Sequence, residues 1–152
     1  MESDVIKENE KWINNFEINF NVRSNSGGEF KDILKRIAKE QHITALEVED
    51  RVHISEKTFR RWLNGEEQRP FLKSLIAFFI EYEIDYGLVL EILSTLNMTL
   101  ILNNKVHYAY YNLLTNYKCC SQYHKLLECN QILDKLEIDE AHWLGNDDDK
   151  QW

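Results

Sequence analysis

Residues 43–70, ITALEVEDRVHISEKTFRRWLNGEEQRP, constrain the fold more than any other part of the chain. They place two helix starts, a tight turn and a stop signal in one short stretch. Thr44 caps a first helix over 44–52, with Leu46, Val48 and Val52 on its inner side. Ser55 caps a second helix, and Asn64-Gly65 closes it with the usual left-handed C-terminal punctuation. Only His53-Ile54 separates the first helix from Ser55, a connection so short that the two helices must cross steeply. Inside the second helix Phe59, Trp62 and Leu63 share one face. Lys57, Arg60, Arg61 and Asn64 follow the i, i+3, i+4, i+7 rule on the other face. A helix anchored by its aromatics therefore turns three cations and an amide outward.

Those residue types suit the edges of DNA bases. Arginine engages guanine O6 and N7 with two parallel bonds, lysine reaches the same acceptors, and Glu56 near the helix start accepts from cytosine N4. Glu56, Lys57, Arg60, Arg61 and Asn64 are thus the candidate base contacts for a helix over 55–64 lying in the major groove. Thr44, Ser55, Thr58, Arg69 and Lys73 stand at helix starts or just past the second helix, where phosphate oxygens are held, and are the candidate phosphate contacts. A charged stripe alone is equally a solvated helix face. The turn pattern beside it favours double-stranded DNA as the partner.

From residue 30 to about 96 the chain resembles the lambda-repressor/Cro-like (XRE-type) helix-turn-helix family. Val48, Val52, Ile54-Ser55, Phe59, Trp62, Gly65 and Pro70 carry the resemblance, in the family's order and at its spacing. It implies an all-α fold with a five-helix DNA-binding domain over 30–97, and a transcriptional repressor acting as a homodimer on a pseudo-palindromic operator. Three positions depart from the pattern. Glu49 stands where the family carries a small residue, His53 where the turn has glycine, and Ala45 where a glutamine makes a phosphate contact. These departures keep open an alternative of another class: an antitoxin-like or adaptor module with a degenerate helix-turn-helix, whose acidic C-terminal half binds a basic protein partner.

The flanking sequence reads as helices. Residues 30–41 turn Phe30, Ile33, Leu34, Ile37 and Ala38 inward. PFLKSLIAFFIEYE gives a helix with Pro70 pre-set in its first turn and a buried stripe of Leu72, Leu75, Ile76, Phe79 and Ile80. DYGLVLEILSTLN is almost all apolar, which predicts burial on more than one side. In the N-terminal arm and linker, 1–29, Trp12, Phe16 and Phe20 recur every four residues. That spacing predicts a helix laying an aromatic edge on the domain, although EINFNV also alternates like a short strand. Ser26-Gly27-Gly28 is the linker.

A helical extension over 98–145 follows, with Val106, Tyr110, Leu113, Leu114 and Tyr117 on one stripe and Tyr123, Leu126, Leu127, Ile132 and Leu133 on another. It is expected to pack on the preceding helix or to form the dimer. The end, LGNDDDKQW, reads as frayed, with 146–152 an acidic tail. The joined layout loosely resembles regulator-like proteins of low-GC Gram-positive bacteria and their mobile elements.

A net charge of −8 opposes nucleic-acid binding only as a total. Residues 30–74 hold ten Lys/Arg against eight Asp/Glu, while residues 75–152 hold five against twelve. Affinity for phosphate follows the local field. Cys119, Cys120, His124 and Cys129 lack metal-ligand spacing, with no C-x-x-C among them, and read as reduced thiols; no metal or cofactor is expected. No phosphate loop, G-x-S-x-G or H-E-x-x-H occurs, His42, His53, His107, His124 and His142 are scattered, and Tyr108, Tyr110 and Tyr111 suit a core, so an enzyme is not expected. With no long uncharged apolar run and no basic-then-apolar start, the expectation is a cytoplasmic protein without a membrane partner.

Overall fold

A computed structural model describes residues 4–25, 28–66, 69–119 and 124–145. The fold is all-α. Its helices are α1 (Asp4–Asn25), α2 (Phe30–Gln41), α3 (Ala45–Val52), α4 (Glu56–Asn64), α5 (Leu72–Glu81), α6 (Tyr86–Thr95), α7 (Lys105–Asn116) and α8 (Lys125–Lys135), followed by a 3-10 turn at Glu140–His142. Among the described residues there is no strand.

Helix α5 is the centre. Every residue from Ser74 to Ile80 is buried, and a helix apolar all round must be surrounded. Helices α3, α7 and α8 all pack on it. The sequence pattern predicts a single stripe here and burial on more than one side of the next helix. Instead α6 buries Leu88, Val89, Ile92 and Leu93 and leaves Leu90 47% exposed. Pro70 is buried ahead of the helix, with Phe71 between it and the first turn, rather than inside that turn. An aromatic cluster ties α2, α4 and α5: Phe30 and Trp62 stand 6.0 Å apart, Phe59 and Phe78 5.7 Å, and Trp62 and Phe78 6.5 Å. Such pairs stabilise beyond the area they bury.

Helix α2 occupies the expected span with Phe30, Ile33, Leu34 and Ile37 buried. In α3 Val48 and Val52 are buried as expected, but Leu46 is 64% exposed, because Ala45 and not Leu46 completes the inner face. The extension joins the same core through Tyr110, Leu113, Leu126, Cys129 and Leu133. It packs on α5, and Tyr111 of α7 meets Tyr86 of α6 edge to face at 5.7 Å. The α8 stripe is Leu126, Cys129 and Leu133, so the expected Leu127 and Ile132 are exposed; Tyr123 lies outside the described residues. Cys129 takes the inner position because i, i+3, i+7 defines the helix face. Burial pushes its thiol up to about 12, which keeps it protonated and unreactive. Cys119 is half-buried, Cys120 lies outside the described residues, and among the described residues no three His, Cys, Asp or Glu side chains are grouped to hold a metal.

Leu144 and Gly145, the described part of the stretch expected to fray, are docked. Leu144 is buried, its carbonyl accepts from Asn130 Nδ2 at 2.7 Å and its N–H donates to Asn130 Oδ1 at 2.7 Å. Gly145 has φ +71, and a Cβ there would meet Leu126 Cδ1 at 2.7 Å, so a side chain at this position would be strained and would displace Leu126. The acidic tail 146–152 and Ser26-Gly27 lie outside the described residues.

Within the N-terminal arm Asp4–Asn25 form one helix, not a strand, and its orientation reverses the expectation. Trp12, Phe16 and Phe20 are 59%, 55% and 56% exposed. Asn15 and Ile18 are half-buried, and Lys11 Nζ reaches Glu83 Oε1 at 2.8 Å. Lys125 also approaches that carboxylate, at 3.4 Å. Burial pushes Glu83 upward, but the hydrogen bonds and charges of Lys11 and Lys125 outweigh it and hold the carboxyl below its usual range. At the neighbouring Glu81 burial wins over Lys125 and Arg51, and its pKa is raised.

Candidate nucleic-acid interface

Two capped helices frame the candidate surface. Thr44 Oγ1 accepts from the Glu47 amide at 3.1 Å, and Ser55 Oγ accepts from the Thr58 amide at 3.0 Å, so each residue acts as the cap its sequence position predicts. The turn between them is closed by His53 at φ 63, ψ 27, a left-handed conformation taken without glycine. Ile54 is buried beneath it. Gly65 ends α4 at φ +76, and a Cβ there would meet Lys31 Cδ at 2.8 Å. Ser55, the His53 turn, buried Ile54 and Gly65 set where α4 starts, stops and points.

The face of α4 is set by Phe59 and Trp62, both essentially without solvent contact. Lys57, Arg60, Arg61 and Asn64 are consequently exposed together. With Glu56 and Glu66 they line a shallow open concavity of about 730 Å³. Lys57 and Arg61 have no ion-pair partner among the described residues. Arg60 is engaged: its Nε and Nη2 donate to Glu56 Oε1 at 3.1 and 2.7 Å. Such an exposed i,i+4 pair is worth only about 0.3–0.5 kcal/mol, little to set against a base contact.

The candidate phosphate contacts are more dispersed. Ser55 and Thr58 share a hydroxyl–hydroxyl bond of 2.8 Å at the N-terminus of α4 and are half-buried. Thr44 is exposed at the N-terminus of α3. Arg69 is exposed beyond α4, whereas Lys73 is half-buried in α5 and its Nζ donates to the Ala141 carbonyl at 3.0 Å. The structure therefore gathers the α4 side chains on one face and ties Lys73 to the extension.

One contact was not legible in the sequence. Glu49 Oε1 accepts from the Glu56 amide at 3.3 Å, placing a carboxylate from α3 on the first turn of α4. Glu49 thus bonds the next helix across the turn. No spacing rule reports it, because the two residues meet through the turn.

A second concavity, of about 530 Å³, lies between α7 and α8 against Tyr108, Leu113, Tyr117, Ile132 and Ile138. Its lining is mostly apolar.

The class established is an all-α protein in which no described helix is long and apolar enough to cross a membrane. No protein-family model, curated protein or solved structure matches the chain.

Proposed function

We propose that the chain is a sequence-specific, double-strand DNA-binding transcriptional regulator of the repressor type, with no enzymatic activity. Helices α2 to α6 act as a five-helix lambda-repressor/Cro-like unit, and α4 enters the major groove. The observation that carries this reading is the exposed Lys57, Arg60, Arg61 and Asn64 face on a helix whose other face is locked by Phe59 and Trp62. Its start and end are further fixed by Ser55 and Gly65. Preorganised side chains on a rigid helix suit base readout, since little ordering entropy is lost on binding. The protein binds as a dimer, with half-site centres about 34 Å apart, and acts in the cytoplasm.

The test is selection of duplexes from a random library, followed by titration of the Lys57→Ala/Arg60→Ala/Arg61→Ala variant. Selective binding by the parent, lost in the variant with unchanged helical circular dichroism, supports the reading. Equal binding by both sinks the assignment of that face.

The Arg60–Glu56 pair and the Glu49 contact favour a second reading, an antitoxin-like or adaptor module whose former reading head is now braced internally. Co-purification of a stoichiometric basic protein, with no selected DNA, favours this alternative.

A further inference from the structure

We propose that α1 is a parallel self-association helix, and that a second copy of this chain covers its aromatic stripe. The outward side chains are Val5, Ile6, Trp12, Ile13, Phe16 and Phe20, each more than a third exposed. They form one band on a single helix, opposite the side that carries Lys11, Asn15 and Ile18 toward the body. Phe16 and Phe20 stack within it, rings 6.1 Å apart and parallel to 2°. Soluble proteins seldom leave contiguous apolar surface beyond a few hundred Å² without a partner for it.

Three observations name the partner. The first is spacing. Ile6, Asn9, Ile13, Phe16 and Phe20 alternate three and four residues apart, the a/d pattern of a two-helix seam, over a helix about 33 Å long. The second is area. Three half-exposed aromatics and three exposed aliphatics offer on the order of 500 Å² per copy, so a pair reaches the ~1,000 Å² that a specific interface needs.

The third is charge and polarity. Glu10 and Glu17 flank the seam on one side, and Val5, Trp12 and Asn19 on the other. In a parallel pair the acidic flank of one copy meets the uncharged flank of the other. In an antiparallel pair Glu10 would face Glu17, a like-charge opposition. Asn9 sits in the seam, its Nδ2 donating to the Val5 carbonyl and its Oδ1 accepting from Trp12 Nε1, both at 2.8 Å. Only in-register parallel pairing sets Asn9 against Asn9, and a buried amide pair fixes register. Parallel helices also send both bodies from the same end of the seam. The pairing rests on the α1 surface and stands whether or not α4 reads DNA, although it supplies the dimer that the DNA reading calls for.

Sedimentation equilibrium on the 152-residue chain tests it. The expected result is reversible dimerisation in about the micromolar range, weakened more than about 30-fold by Ile13→Glu/Phe16→Glu. Because both residues are exposed, circular dichroism and melting of the dilute variant stay those of the parent. The Lys57→Ala/Arg60→Ala/Arg61→Ala variant dimerises like the parent, which separates failure of this pairing from failure of the DNA reading. Orientation is read by oxidising Ile6→Cys in a Cys119→Ser/Cys120→Ser background: parallel pairing gives a disulfide-linked dimer, and Ile6→Cys mixed with Phe20→Cys gives few mixed dimers. A parent that stays monomeric, a stripe variant that associates as tightly as the parent, or mixed dimers in preference to Ile6→Cys homodimers overturns the proposal.

Discussion

Helices α1 and α4 are both amphipathic, yet they turn opposite faces to the solvent. In α4 Phe59 and Trp62 point into the core and the cations point out. In α1 the aromatics point out, while Lys11, Asn15 and Ile18 lie toward the body. Periodicity establishes that a helix has a stripe, but its neighbours decide where the stripe faces. α4 is short and held at both ends, by the three-residue turn from His53 to Ser55 and by Gly65, so the chain itself sets its rotation. α1 is 22 residues long, and its roll follows from partners distant in sequence, such as Glu83 for Lys11, rather than from a tight turn at either end.

The largest test of this contrast is truncation on the two helices. Phe59→Ala should cost about 3–5 kcal/mol, because the fully buried ring packs against Trp62 and Phe78 and its removal leaves a cavity. Phe16→Ala, in dilute solution where the chain is monomeric, should stay within about 0.5 kcal/mol. Urea unfolding measures both; similar costs would place the α1 aromatics in the core and break the comparison.

A smaller effect sharpens the α4 side. Ser55→Ala removes the bond to the Thr58 amide and should lower stability by about 1 kcal/mol. Thr44→Ala should do the same for α3 through the Glu47 amide. Thermal melts in which neither variant shifts would show that the turn, rather than the caps, holds the two helices in place.

The smallest effect concerns how α1 is held. Glu83 has a lowered pKa, so its contribution is present above the unfolded carboxylate value and is lost as pH falls through the folded one. Glu81 has a raised pKa and runs the other way: its contribution is full at low pH and lost as pH rises through the folded value. Acidification through about pH 4 should therefore loosen α1 and leave α5 intact. Hydrogen exchange, corrected for intrinsic rates, should show faster α1 amides and unchanged α5 amides, and Lys11→Ala should reproduce this at neutral pH. Equal loosening of both helices would mean that α1 is not a separately held element.

Much of the middle of the chain was legible because its signals are local. Thr44, Ser55 and Gly65 act through residues within one turn, and the span of α2 follows from Phe30, Ile33, Leu34 and Ile37 alone. Leu46 was misplaced locally, because its neighbour Ala45 takes the inner face, whereas other misplacements depend on contacts distant in sequence. Leu127 and Ile132 share an apolar pattern with Leu126 and Leu133, but α8 turns Cys129 into the core and leaves them outside. Leu144 reads as part of a polar end until Asn130 is seen to bond both its amide and its carbonyl. At the candidate interface the α4 cations were legible from their spacing. The Glu56 hold on Arg60 follows from the same i, i+4 rule, whereas the Ala141 hold on Lys73 does not.

The central claim is that the outward face of α4 reads double-stranded DNA. It is tested most directly by binding of the purified protein to its own upstream DNA and to a scrambled duplex at two salt concentrations, beside the Lys57→Ala/Arg60→Ala/Arg61→Ala variant. Base contacts survive competition that phosphate attraction does not. The account predicts preference for the upstream duplex that persists at the higher salt and disappears in the variant. Binding that is equal for both duplexes and erased by salt, or absent altogether, would contradict it.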